Sequence, residues 1–348
     1  MKRAFLLLGL LIASYPAKSQ MSENKLENEE TWIRKQMQEH HVPYVGVGII
    51  RKGKLQQIRA YGEHIAGQPA PFNTLINVAS LTKPVVAMLT LILVNNGDWK
   101  LNDPLYTYWV DPDVKNDPRS KTLTTRHVLT HQTGFVNWRW GHPSSKLTFD
   151  HDPGTKFGYS GEGFQYLKKA LESKFGKKLE KLVDSLVFKP MQMKDSYLVL
   201  DKRIDQSRVA AWHDTLGKPA YTNEMFPVAN AADDLVTTIE DYGKFMVAVM
   251  NGYGLSKALH AEMIQPHALM RQDKYMGLGW AVNLNFLGNE PLINHEGADR
   301  GICSLAFWLP ESKEGLLIFT NADNGYKLFK EMVEVRWRGS ILAKKNNT

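Results

Sequence analysis

The spacing of apolar positions changes several times along the chain, and each change marks an element. Between residues 23 and 41 a charge-rich segment carries Leu26, Trp32, Ile33 and Met37 at roughly helical intervals, which predicts an amphipathic helix. Residues 44–50 read as a strand, Lys52-Gly53 as a turn and residues 55–61 as the hairpin partner. A second helix is predicted over 80–96. Its apolar residues Val85, Val86, Met88, Leu89, Leu91, Ile92 and Leu93 surround most of the helix, so it is expected to be buried, with Gly97 ending it. From Asp98 to about Met270, helical stretches at 164–174, 179–186 and 239–250 alternate with Pro, Gly and Asn punctuation. Strand patterns return at 277–283, 292–295, 303–309 and 316–320, and 326–342 closes as a helix. This order predicts an α+β fold: one antiparallel sheet flanked by helices, built from both chain ends, with a mostly helical insertion. The expected division is an α/β domain from residues 20–97 and 271–348, and a helical domain over 98–270.

The first nineteen residues stand outside that scheme. Lys2-Arg3 precede an apolar run from Ala4 to Ala13, and Ala17 and Ser19 place small residues two apart, the features of an export signal cleaved near Ser19. The run is about half the length of roughly 20 residues that a membrane-spanning helix needs. No cysteine follows it, and no second long apolar stretch occurs, so a periplasmic or secreted protein without a stable membrane anchor is expected. Cys303 is the single cysteine, which excludes an internal disulfide and a cysteine-based metal cluster. The formal charge of +7 falls to +4 once Lys2, Arg3 and Lys18 are discounted, too mild a balance to argue for nucleic acid as a partner.

Candidate chemistry begins at Ser80-Leu81-Thr82-Lys83, an S-x-x-K. The same spacing occurs at Ser22-Glu23-Asn24-Lys25, but there it lies in a polar leader. Ser80 is predicted to open a buried helix, where free backbone N–H groups and the helix dipole favour developing negative charge. Lys83 lies one turn on and can reach the same hydroxyl. The apolar helix offers the desolvation that turns a lysine into a base. The competing structural assignment makes Ser80 a helix cap and lets Lys83 extend to solvent. Two further segments stand out: residues 153–163, containing Tyr159-Ser160-Gly161, and His295-Glu296-Gly297-Ala298 on a late strand that can edge a cleft.

The order S-x-x-K, then Y-S-x, then basic residue-x-G resembles the serine β-lactamase and penicillin-binding protein superfamily, and in flavour its class C-like branch of esterases and D-amino-acid peptidases. Segments 78–84, 126–134, 188–193, 235–238 and 275–280 also fall in the family's order, so the resemblance covers roughly residues 30–335. It implies a serine hydrolase that forms an acyl-enzyme on Ser80, with Lys83 and Tyr159 sharing the removal of its proton. It further implies an oxyanion hole from the backbone N–H groups of Ser80 and Ala298. Gly297 would let its strand approach the substrate, and His295 would line the cleft and bond to Tyr159 or substrate. Gly161 would occupy a substrate-binding position. No metal or organic cofactor is implied, and the partner is a small-molecule or peptide substrate: an ester, a D-amino-acid peptide or a β-lactam. Two departures bear on the substrate. His295 stands where β-lactamases usually carry lysine, and its reference pKa of about 6.5 leaves it mostly neutral. Gly161 lacks the amide of the usual asparagine. The alternative function is a penicillin-binding-type sensor that is acylated and turns over slowly or not at all.

Other patterns are weaker. Gly158-Tyr159-Ser160-Gly161-Glu162 nearly spells G-x-S-x-G, which would make Ser160 the nucleophile, but Glu162 replaces the second glycine and parallel β–α alternation is missing. His127 and His131, four apart on a predicted helix, lack the carboxylate of H-E-x-x-H and read as structural. Asp233-Asp234 reads as a cap or turn. Trp138-Arg139-Trp140 is open between a cleft wall and a packed loop.

Overall fold

Both ends of the chain meet in one sheet. The structure is a computed structural model that describes residues 29–221, 226–287 and 290–333. The expected export signal lies outside the described residues. Helix α1 (Glu29–Glu39) leads into the hairpin β1 (Tyr44–Arg51) and β2 (Lys54–Ile65), followed by the short β3 (Gln68–Pro69) and β4 (Ile76–Asn77). The buried helix α2 (Thr82–Asn95) comes next, then α3 (Thr125–Leu129), α4 (Gly161–Phe175) and α5 (Leu179–Val183). Short strands β5 (Trp212–His213), β6 (Pro219–Tyr221) and β7 (Val236–Thr237) precede α6 (Ile239–Met250) and α7 (Lys257–Met263). The chain then returns to the sheet as β8 (Ala268–Arg271), β9 (Lys274–Met276), β10 (Ala281–Leu287), β11 (Glu290–Asp299), β12 (Ile302–Leu309) and β13 (Glu314–Thr320), and ends in α8 (Gly325–Glu331).

The nine-stranded sheet has the order β3-β2-β1-β13-β12-β11-β10-β9-β8 and is antiparallel throughout. β1 against β13, in the register Val47↔Ile318, joins the two chain ends. β12 is buried on both faces. Cys303, Leu305, Phe307 and Leu309 pack with Ile33 and Met37 of α1 and with Leu328 and Phe329 of α8. Ala306 and Trp308 on the opposite face join the larger core that contains α2 and α6. Alternation with period two puts apolar side chains on each face, and helices cover both.

Several boundaries differ from the sequence pattern for local reasons. α2 starts at Thr82, because residues Ala79–Leu81 form a single 3-10 turn ahead of it. All of its residues from Thr82 to Leu93 are buried. The strand expected from 277 is displaced to β10, since Gly277 and Gly279 turn the backbone, Gly279 donating to the Leu129 carbonyl at 2.9 Å. α6 falls within the stretch read as helical insertion but packs on β1 and β2 of the sheet. Of the closing helix, residues 334–342 lie outside the described residues. Among the described residues no helix is long and apolar enough to cross a membrane.

Candidate active site

Tight local bonding shapes the turn that carries Ser80. Asn77 at the end of β4 accepts the Ala79 N–H on its side-chain oxygen at 2.7 Å. This bond holds Ala79 at φ +47°, a left-handed conformation costly for alanine. The Thr82 hydroxyl donates to the Ala79 carbonyl at 2.7 Å and accepts the Leu235 N–H at 3.0 Å. The Tyr242 hydroxyl donates to the Leu81 carbonyl at 2.9 Å. The turn is thus pinned from three sides, and Ser80 at its centre is half-buried. Lys83, one turn further, is 1% exposed. Its Nζ donates to Ser80 Oγ at 2.9 Å and to the Ala232 carbonyl at 2.6 Å. Burial pulls its pKa from 10.5 to about 7, against the opposing pull of the Asp233 carboxylate.

Tyr159 meets the pair from the loop before α4. Its phenol lies close enough to Ser80 for the hydroxyl to favour the phenolate, and its ring centroid lies 4.8 Å from Lys83 Nζ. Burial, reinforced by the negative charge of Asp233 and Glu296, raises the phenol above its usual 10 and outweighs the Ser80 hydroxyl. At neutral pH Tyr159 therefore keeps its proton, while Lys83 has a sizeable unprotonated fraction. Of the two groups the sequence leaves open as base, burial moves the lysine toward neutrality and the phenol away from deprotonation.

His131 forms the floor under Tyr159. It lies beyond the end of α3, at φ +52°, and is completely buried. Its ring stacks on Tyr159 with centroids 4.2 Å apart at 26°. Nδ1 accepts the Ser160 N–H at 3.1 Å, which places the proton of the neutral ring on Nε2. Burial and the nearby Lys83 hold its pKa well below 6.5. His127 serves elsewhere, accepting the Thr124 N–H on Nδ1 at 3.3 Å. Among the described residues no group of three or more His, Cys, Asp or Glu could hold a metal ion.

The opposite wall is β11. His295 is buried, and its Nδ1–H donates to the Glu296 carbonyl at 2.9 Å. Nε2 is buried and has no partner among the described residues. The ring centroid is 6.4 Å from that of Tyr159, and no hydrogen bond joins the two side chains among the described residues. Burial and Lys83 pull its pKa from 6.5 to about 3, leaving a neutral imidazole whose free nitrogen is an acceptor. Gly297 lies directly on the Ser80 turn. A Cβ there would come within 2.2 Å of the Val78 carbonyl oxygen, 2.4 Å of Ser304 Oγ and 3.0 Å of Ser80 N. Ala298 follows it and is exposed.

Gly161 departs from the expectation of an open substrate-binding position. It is buried, and a Cβ on it would fall 2.7 Å from two indole carbons of Trp138. The indole occupies the space into which a longer side chain would project. Ser160 is the cap of α4: its hydroxyl donates to the Val136 carbonyl at 2.9 Å and accepts the Gly163 N–H at 3.0 Å. Those two bonds engage the hydroxyl and argue against Ser160 as nucleophile.

With this geometry in place the comparisons with known proteins are direct. The family model described as Beta-lactamase matches residues 30–338. The chain belongs to the beta-lactamase family. Members of this family are serine hydrolases. Esterase EstB of Burkholderia gladioli is 30% identical over 177 residues, 42% of this chain and 45% of that relative's length. The chain therefore spans about half of the curated relative it matches there. Among solved structures, the octameric penicillin-binding protein homologue of Pyrococcus abyssi superposes with a TM-score of 0.76 at 21% identity, covering 87% of this chain and 75% of that one. The D-amino acid amidase of Ochrobactrum anthropi SV3 superposes with a TM-score of 0.72 at 20% identity, covering 87% and 96%. These likenesses establish the shared fold.

Within this beta-lactamase-family site, sequence reasoning misses Asp233. The pair Asp233-Asp234 reads as a cap or turn, and locally that holds: Asp233 accepts the Asp234 N–H at 3.0 Å, with Asp234 at φ +72°. The Ala232 carbonyl that receives Lys83 is one residue earlier, so the turn also brings Asp233 to the lysine. Burial, Asp299 and Asp234 push the Asp233 carboxyl well above the usual range. No pattern in the sequence marks this contact, which depends on chain segments far apart. Asp233 raises the Lys83 pKa, so Asp233→Asn should lower it further. The rising limb of kcat/KM against pH, expected near pH 7 in the wild type, should then move to lower pH. A limb that stays in place in the variant would dissociate it from Lys83.

Proposed function

We propose that this chain is an exported serine hydrolase that cleaves esters or amides through an acyl-enzyme on Ser80. The observation that carries the reading is the 2.9 Å contact from Lys83 Nζ to Ser80 Oγ, made by an amine whose burial brings its pKa to about 7. Ser80 Oγ attacks the substrate carbonyl carbon while its proton passes to the unprotonated Lys83 amine. Tyr159, as a neutral phenol close to Ser80 and Lys83, gives its proton to the leaving oxygen or nitrogen as the bond to the carbonyl carbon breaks and takes one from the Lys83 ammonium in return. Water then attacks the acyl-enzyme, giving the acid and restoring Ser80. The Ser80 and Ala298 N–H groups would hold the oxyanion, a role supported by the packing of Gly297 on the Ser80 turn. Export rests on the basic and apolar pattern of residues 1–19.

The charges around the cleft bear on the substrate. His295 is neutral where a fixed cation would hold a carboxylate; Glu296 and Asp299 lie on the same strand, with Lys274 and Arg271 acting on Glu296. Asp233 acts on the lysine's charge, and Asp299 lies close enough to act on Asp233 and Asp234. Substrates without a free carboxylate fit this balance better than β-lactam antibiotics. A parallel panel of p-nitrophenyl acetate, a D-alanyl p-nitroanilide and nitrocefin tests the reading, with intact-mass and peptide mapping of the trapped adduct. The ester should turn over with an adduct on the Ser80 peptide, and nitrocefin at least about 100-fold less efficiently. An adduct that maps to Ser160, or none at all, would refute the assignment; a long-lived Ser80 adduct without product would identify the sensor.

A further inference from the structure

Trp138 is held against the catalytic loop by an unusually complete set of bonds. Gly161 N–H donates to the side-chain oxygen of Asn137 at 2.8 Å, and the Glu162 N–H donates to the Asn137 carbonyl at 3.0 Å. Arg139 N–H donates to Glu162 Oε1 at 3.0 Å. The Arg139 guanidinium then takes Glu162 Oε2 through Nε and Nη2 at 3.0 and 2.8 Å, Asp111 through Nη2 at 2.8 Å and Asp113 through Nη1 at 3.1 Å. The Glu162 and Asp111 carboxylates are each only 7% exposed, so these charge-assisted bonds form largely out of water and fix the segment on both sides of Trp138. The indole lies on Gly161, two residues from Tyr159, and is half-buried with its inner edge on the main core. The neighbouring Trp140 is 65% exposed and takes no part in this packing. One tryptophan of the pair is therefore a fixed, partly open apolar surface over Gly161, two residues along the chain from Tyr159.

We infer that Trp138 is the specificity-determining wall of the cleft and selects substrates with an apolar, preferably aromatic, acyl group. The inference rests on the acyl-enzyme reading above and deepens it. A side chain at position 161 would run into the indole; glycine there lets the flat ring pack directly on the backbone. An indole offers a large apolar face and stacks well on another ring. It offers that face no hydrogen bond, so it gives no advantage to an acylamino group. Apolar pockets of this kind discriminate by about 10- to 200-fold.

The test compares kcat/KM for p-nitrophenyl phenylacetate and p-nitrophenyl acetate. Wild type should favour phenylacetate, and Trp138→Ala should reduce the phenylacetate-to-acetate ratio about tenfold or more. Trp138→Phe, which keeps a ring, should hold the ratio within about threefold of wild type. Gly161→Ala places a Cβ against the indole and should reduce the ratio as well, with no further loss when combined with Trp138→Ala. An unchanged ratio in Trp138→Ala, or a ratio that rises because bulky esters now enter, overturns the inference. Binding of benzylboronic acid against methylboronic acid, measured by calorimetry, reads the same preference without turnover. If turnover is absent but Trp138→Ala still erases the benzyl preference, the hydrolase reading fails and the Trp138 wall stands. If turnover is normal and no benzyl preference exists, the reverse holds.

Discussion

Replacing Ser80 by alanine is expected to abolish ester hydrolysis, and Lys83→Met to lower kcat/KM by about 10³-fold or more with the fold intact. Methionine fills the slot of the lysine stem inside α2 without the amine. The catalytic loss comes from removing the group that takes the Ser80 proton, since the phenol of Tyr159 is pushed further from deprotonation by burial. Stability moves the other way. A buried lysine whose pKa falls from 10.5 to about 7 binds fewer protons folded than unfolded between those values. Its burial therefore costs stability that is fully felt below about pH 7 and relieved as pH rises toward 10.5. Lys83→Met removes that cost, while Asp233, with its carboxyl pKa raised, can remain protonated in the absence of its partner. The melting temperature near pH 7 should accordingly be unchanged or raised by a few degrees. Activity within about tenfold of wild type in Lys83→Met would sink the assignment of the base.

Gly297→Ala should be nearly as damaging, through geometry alone. The new methyl would meet the Val78 carbonyl oxygen at 2.2 Å and Ser304 Oγ at 2.4 Å, separations no real Cβ adopts. Neither neighbour can yield easily. Val78 precedes the Ser80 turn, its carbonyl accepts the Ser304 hydroxyl at 2.7 Å, and its N–H donates to the Leu235 carbonyl at 2.9 Å. β11 or the turn must therefore shift by about an ångström, and misplacement of that size costs roughly 10²-fold in rate. Overpacking of this kind also costs about 1–3 kcal/mol. The measurements are kcat/KM on p-nitrophenyl acetate and the melting temperature; a variant with wild-type activity would show that β11 does not define the site.

Much of the site is legible in the amino-acid sequence because its central pair depends on short-range spacing. Ser80 and Lys83 are one turn apart, so the pair is visible as the two ends of four consecutive letters. The all-round apolar character of α2 announces its burial, and burial explains the lysine's pKa. The sheet from both chain ends follows from strand patterns at the front and back. His295 is expected to be neutral from its residue type, and burial makes it more so. Its orientation is not legible, because a single bond to the Glu296 carbonyl decides which nitrogen is left free.

Local periodicity is enough to read the principal helices and the strands of both chain ends, the apolar helix that dries the lysine, and the Ser80–Lys83 spacing. Tertiary structure alone decided the rest. Asp233 comes to Lys83, His131 lies under Tyr159 and Trp138 closes over Gly161 because loops distant along the chain are packed together. Such contacts leave no periodic trace, and they set the charge and shape of the cleft, on which choice of substrate depends.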